Sequence, residues 1–131
     1  MRYFIYARKS TDDDDRQILS IEAQLVELRQ YAEREKLAVL SELVEAKTAK
    51  KPGRPIFNDM LAQIQTHSAD GILAWHPDRL ARNSVDGGKI IYLIDQGVIK
   101  GLQFPTYRFD NNAQGKFRFF RLKCNGIDVR C

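Results

Sequence analysis

The chain has 131 residues, 44% of them hydrophobic, and a formal charge of +4. This length and apolar content fit one domain with its own core. No apolar run approaches the ~20 residues of a membrane span, and the charged, alternating start does not read as a secretory signal, so a cytoplasmic protein with no membrane partner is expected.

The charge is unevenly spread. Residues 116–131 carry Lys116, Arg118, Arg121, Lys123 and Arg130 against Asp128 alone, which accounts for the whole +4. The preceding 115 residues balance, 16 basic against 16 acidic. Any anion site in the body must therefore be local rather than a bulk field. Cys124 and Cys131 stand without a histidine pair, and His67 and His76 are distant in sequence. No disulfide framework, zinc site or other metal is expected. The acidic run at 12–15 reads as a solvated loop.

In chain order, residues 2–8 predict a strand built on Tyr3, Phe4, Ile5 and Tyr6. A polar loop follows, Lys9 to Gln17. Ile21, Leu25, Leu28 and Ala32 fall at helical spacing and predict a helix from about Ser20 to Lys36, with Ser20 as N-cap. Leu37 to Ala46 predicts a second strand. Residues 47–54 form a basic loop broken by Pro52 and Gly53. Pro55 suits a first helical position, and Phe57, Met60, Leu61 and Ile64 supply that helix's apolar stripe. Asp70-Gly71 turns the chain into a strand over Gly71 to Trp75. His76 to Ser84, HPDRLARNS, reads as a loop or helix start. Ile90, Ile91 and Ile94 mark a helix ended by Gly97, and Val98 to Phe104 predicts a fourth strand.

Strands alternating with helices predict an α/β fold, a mainly parallel open sheet with flanking helices. In such sheets the loops at the strand C-termini gather along one edge. Here those loops carry Arg8 and Ser10, then Arg54, then Asp78, Arg79 and Arg82. Arginine forks match phosphate oxygens, and several around one phosphate would stabilise the charge of a pentacovalent transition state. Ser10 is placed to attack phosphorus and form a covalent link. Each piece alone has a plainer reading: Ser10 as a turn residue, Asp78–Arg79 as a local ion pair, Lys50, Lys51 and Arg54 as a solvated loop. Their convergence on one edge favours the site.

Four stretches in order, YARKS at 6–10, SIEAQ at 20–24, GRPIFNDML at 53–61 and PDRLAR at 77–82, resemble the catalytic domain of the serine site-specific recombinases, the resolvase–invertase family. The wording of SIEAQ and of YAE at 31–33 resembles the large phage-integrase and transposase branch. The resemblance covers about residues 1–115. It implies a resolvase-like catalytic fold, DNA as partner and substrate, and no cofactor. It implies cleavage by Ser10 with a 5′-phosphoserine link and a released 3′ hydroxyl. Arg8, Arg79 and Arg82 match the arginines that hold the scissile phosphate, and Arg54 matches another phosphate-contacting arginine. Asp78 matches a carboxylate that orients arginine and takes part in proton transfer. Tyr6, Gln24 and Glu45 match supporting positions. The family works as dimers that pair into a synaptic tetramer.

From residue 116 the family pattern would continue as a long amphipathic helix leading to a DNA-binding domain. RFFRLKCNGIDVRC at 118–131 does not sustain helical spacing. The expectation is an atypical, truncated basic tail and impaired recombination by this chain alone. Two rivals stand beside this reading. One is a non-enzymatic remnant or partner-binding subunit of a full-length recombinase. The other is a nucleotide-binding α/β domain, against which there is no glycine-rich loop after the first strand.

Overall fold

The computed structural model describes residues 1–9, 20–46, 52–109, 112, 114 and 115; of Asp78 it describes the backbone. Ser10, the acidic run at 12–15, Lys50, Lys51 and the tail at 116–131 lie outside the described residues. The elements are β1 (Arg2–Arg8), α1 (Ile21–Arg34), β2 (Ala38–Glu45), α2 (Pro55–Gln65), β3 (Gly71–Ala74), α3 (Pro77–Leu80), α4 (Ser84–Asp95) and β4 (Gly101–Gln103). The four strands form one sheet in the order β2-β1-β3-β4, and all three ladders are parallel. This is the expected α/β architecture.

β1 is central and has core on both faces, which is why all of Tyr3 to Ala7 is buried between its two terminal arginines. Tyr3 and Ile5 join Leu28 and Ala32 of α1 on one face. Phe4 and Tyr6 join Phe57, Met60 and Ile64 of α2 and Ile90 and Ile94 of α4 on the other. The helices start where the sequence marks them. Ser20 Oγ accepts the Ala23 N–H at 3.1 Å, and Pro55 occupies the first turn of α2. Gly97, at φ +73°, ends α4 in the left-handed region that glycine tolerates.

Three strands differ in extent from expectation. β2 spans Ala38–Glu45, one residue shorter at each end than the expected 37–46. β3 ends at Ala74, one residue before Trp75. β4 is three residues, not the seven expected over 98–104. The N–H groups of Val98 and Ile99 both return to the carbonyl of Leu93 at the end of α4, so this segment serves as a helix stop before it can pair. Phe104 then leaves the ladder for an antiparallel bridge to Tyr107. β2 is an edge strand. Its register slips between the Tyr3 and Phe4 pairings, and Val39, Leu40 and Val44 are exposed.

Two predictions follow from the packing. Gly71 lies under the Tyr3 ring; a Cβ there would sit 2.5 Å from Tyr3 Cε2 and 2.7 Å from the Gly101 carbonyl oxygen. Gly71→Ala is expected to destabilise by about 1–3 kcal/mol, the usual cost of overpacking, read as a lowered urea midpoint. The second concerns acid. Arg29 Nε and Nη2 donate to both oxygens of Glu42 at 2.6 and 2.7 Å, tying α1 to β2 and lowering the Glu42 pKa. Asp70 is likewise lowered, first by the Arg2 N–H it accepts. A depressed folded-state pKa gives stability that is complete above the ordinary carboxylate range and lost as pH falls through the folded value. The melting temperature is therefore expected to hold above about pH 5 and to fall toward about pH 3, less steeply in Glu42→Gln.

Candidate active site at the carboxyl edge of the sheet

The chain leaves β1 toward β2 on one side and returns across β1 to β3 on the other. The strand order thus reverses between β1 and β3. In open α/β sheets, the crevice outside the strand C-termini at such a reversal is where ligands are held. Arg8 ends β1 at this point, and the 77–83 segment follows β3 at the same edge.

Arg8 is fully buried. The β1–β3 ladder stops at Tyr6–Ala74, so Arg8 must find other partners for its backbone. Gln24, in the second turn of α1, supplies them: its Oε1 accepts the Arg8 N–H at 3.3 Å and its Nε2 donates to the Arg8 carbonyl at 3.1 Å. The carboxamide does the work of the missing strand and fixes the backbone from which Arg8 projects. The Arg8 guanidinium Nε donates to the Arg79 carbonyl at 3.3 Å, so the segments after β1 and β3 meet. Arg79 is buried and Arg82 half-buried in the turn between α3 and α4.

A second group lies alongside. The Tyr6 hydroxyl donates to Glu45 Oε1 at 2.8 Å and accepts from Arg54 Nη1 at 3.0 Å. Glu45 Oε1 and Oε2 also accept the N–H groups of Phe57 and Ile56 at 2.9 and 3.0 Å. Glu45 therefore caps α2 from the end of β2. Arg54, the N-cap residue of α2, gives that helix no side-chain cap of its own, and a carboxylate is the favourable charge at a helix N-terminus. The Arg54 guanidinium lies 4.0 Å from the Phe57 ring centroid and 5.8 Å from that of Tyr6, a cation–π seat. Burial foremost, reinforced by Glu45 and opposed by Arg54 and Arg8, holds the Tyr6 phenol far above its ordinary pKa. The phenol therefore stays a neutral donor toward Glu45.

On its far side Arg54 meets a residue outside the sequence expectations, Asp86. The Arg54 Nη2 donates to Asp86 Oδ2 at 3.0 Å, and both side chains are essentially inaccessible. Asn83 Nδ2 donates to the same oxygen at 2.8 Å, while Asn83 Oδ1 caps the Asp86 N–H at 2.8 Å. The spacing Asn83-x-x-Asp86 is that of a reciprocal cap at a helix start, and that signal was available in the sequence. Arg8, Gln24 and Arg79 are thus brought into one connected group, and Tyr6, Glu45 and Arg54 into another. The two share β1 through Tyr6 and Arg8. Among the described residues no cluster of three His, Cys, Asp or Glu side chains is placed to hold a metal, and no helix is long and apolar enough to cross a membrane.

The fold is a four-stranded parallel sheet with flanking helices, and it brings Arg8, Arg54 and Arg79 to its carboxyl edge. Residues 3–120 match the family model described as the N-terminal domain of resolvase, and the chain belongs to that family of serine recombinases, which act on DNA as oligomers. Solved structures carry the same fold. The N-terminal catalytic domain of TP901-1 integrase superposes with a TM-score of 0.70 at 24% identity, over 93% of this chain and 91% of that one. The C-terminal catalytic domain of ISC1926 TnpA, an IS607-like serine recombinase, gives 0.60 at 24% identity over 79% and 68%. A resolvase family site-specific recombinase from Streptococcus pneumoniae gives 0.57 at 23% identity over 75% and 68%. No curated protein matches the chain significantly.

Tyr6→Phe would leave Arg54 Nη1 without its acceptor and take a donor from Glu45, with both groups buried. A loss of about 1–3 kcal/mol is expected, measured by urea unfolding.

Proposed function

We propose that this chain carries the cleavage and rejoining chemistry of site-specific recombination, with Ser10 as the nucleophile. The Ser10 oxygen would bond to a DNA phosphorus as the bond from phosphorus to the 3′ oxygen breaks. The serine gives up its proton, the 3′ oxygen gains one, and a 5′-phosphoserine link remains. The link keeps the phosphodiester's energy for resealing, which hydrolysis would lose. Arg8, Arg79 and Arg82 would hold the phosphate oxygens and stabilise the charge that builds up in the transition state. Asp78 would orient an arginine and take part in the proton transfers. Arg54 would contribute its charge from the α2 side, set by Tyr6 and Glu45, while Gln24 holds the backbone of Arg8.

The observation that carries this reading is the contact between Arg8 Nε and the Arg79 carbonyl. It joins the segment two residues before Ser10 to the segment that holds the other arginines. Residues 1–115 would form the catalytic unit and 116–131 a distinct basic tail. The body is electrically neutral overall, and phosphate contacts by themselves give weak, salt-sensitive binding. Recombination by this chain alone is therefore expected to be slight, with cleavage chemistry retained. Partners would be DNA and further copies of a recombinase chain.

The test is incubation of the full chain with supercoiled DNA bearing its cognate site, followed by denaturation, proteolysis and mass spectrometry of DNA-linked peptides. A DNA adduct on the Ser10 peptide is expected, absent in Ser10→Ala and reduced in Arg8→Ala. An adduct on another residue, or one that survives Ser10→Ala, contradicts the assignment.

A further inference from the structure

Asp86 lies outside the roles assigned so far, yet its position is unusual. It sits in the first turn of α4, fully buried, and Arg54 sits at the start of α2. Their pair therefore joins the N-termini of two helices that follow different strands. The segment 77–83, with Arg79 and Arg82, runs from β3 to Asn83. It is held at one end by the sheet and at the other by the Asn83–Asp86 clamp. Through Asp86, that segment is fixed relative to Arg54.

The pair is not an economical way to stabilise a core. Among the described residues Arg54 Nε and Asp86 Oδ1 are buried without a hydrogen-bond partner. A buried ion pair with unmet hydrogen-bonding capacity is a weak source of stability, and apolar groups of similar volume often do as well or better. What the pair supplies is geometry. Asp86 Oδ2 receives both Arg54 Nη2 and Asn83 Nδ2, so its rotamer is fixed from the helix side. Arg54 is then caught between this oxygen, the Tyr6 hydroxyl and the face of Phe57. The guanidinium plane is set on three sides before any phosphate arrives.

We propose that Asp86 is a positioning residue for the strand-transfer reaction: it fixes the buried Arg54 guanidinium against Tyr6 and locks the 77–83 segment to it, so that Arg79 and Arg82 meet the DNA phosphate from a rigid frame that carries the Arg54 charge behind them. The proposal rests on the recombinase reading above. Preorganised charge of this kind acts on the chemical step, and small displacements of such groups cost rate out of proportion to their size.

The test compares the full wild-type chain with Asp86→Asn and Asp86→Glu in two measurements. The first is 15N NMR of the Arg54 guanidinium, which needs no DNA. Wild type is expected to show separate Nη proton signals from slow rotation, and Asp86→Asn averaged ones. The second is the rate of adduct formation on cognate DNA beside the DNA affinity. Asp86→Asn is expected to lower the rate about 10- to 100-fold while affinity stays within about twofold, with part of the rate returning in Asp86→Glu. A folded Asp86→Asn with wild-type Arg54 signals and wild-type rate overturns the proposal. So does a rate loss matched by an equal loss of folded protein or of affinity, which marks a merely structural role. If Asp86→Asn does not fold, Asn83→Ser keeps a cap but removes the Nδ2 donor, and a smaller effect on the same two readouts is expected; no effect on either overturns the proposal. If Arg54 responds as expected but wild type and Ser10→Ala are alike in leaving no adduct, the recombinase reading fails and the Asp86–Arg54 geometry stands.

Discussion

A guanidinium taken out of water must be matched, and the site is arranged around that constraint. Arg54 is buried within the apolar packing of the face that α2 and α4 cover. Left unpaired it would cost several kcal/mol. Asp86 meets it from one side; Tyr6 meets it from the other and passes the demand on to Glu45. Glu45 in turn is held by the two N–H groups at the start of α2. Charge therefore alternates from Asp86 to Arg54 and then, through the neutral Tyr6 hydroxyl, to Glu45 and the positive end of α2. Every member depends on its neighbour to remain buried. The ends of β2 and α2, the Tyr6 side chain on β1 and the start of α4 cannot drift independently.

The same economy explains Arg8. Its strand outruns its ladder with β3 by two residues, so on that side its backbone N–H and carbonyl have no strand partner, although Arg8 stays in register with Glu45 of β2. Gln24 closes that gap, and its helix is anchored by the Ser20 cap a turn earlier. The carboxyl edge of the sheet is thus held for a specific reason. The ladder ends where access begins, and side chains from helices take over the backbone hydrogen bonds there. A long arginine side chain held in this way need not be ordered at the moment it engages a ligand.

Much of this was legible in the sequence. The apolar runs of β1 and β3, the Ser20 cap, Pro55 at the helix start and Gly97 at a helix end each state a local rule that the fold obeys. Alternation of strand and helix sufficed to send Arg8, Arg54 and Arg79 to one edge. What the sequence did not yield depends on pairing across distance. Asp86 reads locally as a solvent-facing acid in the first turn of a helix, and its burial follows from where α2 ends up. The shortness of β4 follows from the Leu93 carbonyl capturing two N–H groups that a strand would have used. Arg8 reads as a residue displayed at a strand end, yet it is buried, with its Nε turned to the Arg79 carbonyl.

The central claim is spatial. On the proposed function, guanidinium groups from separate loops would lie around the Ser10 hydroxyl and together seat a single DNA phosphate. The measurement that bears on it most directly is a crystal structure of the full chain, as Ser10→Ala, bound to duplex DNA spanning its cleavage site. The account predicts one phosphate within hydrogen-bonding distance of Arg8 and of Arg79 or Arg82, with the residue 10 methyl pointing at its phosphorus. A scissile phosphate seated elsewhere on the domain, with residue 10 turned away from those arginines, would contradict it.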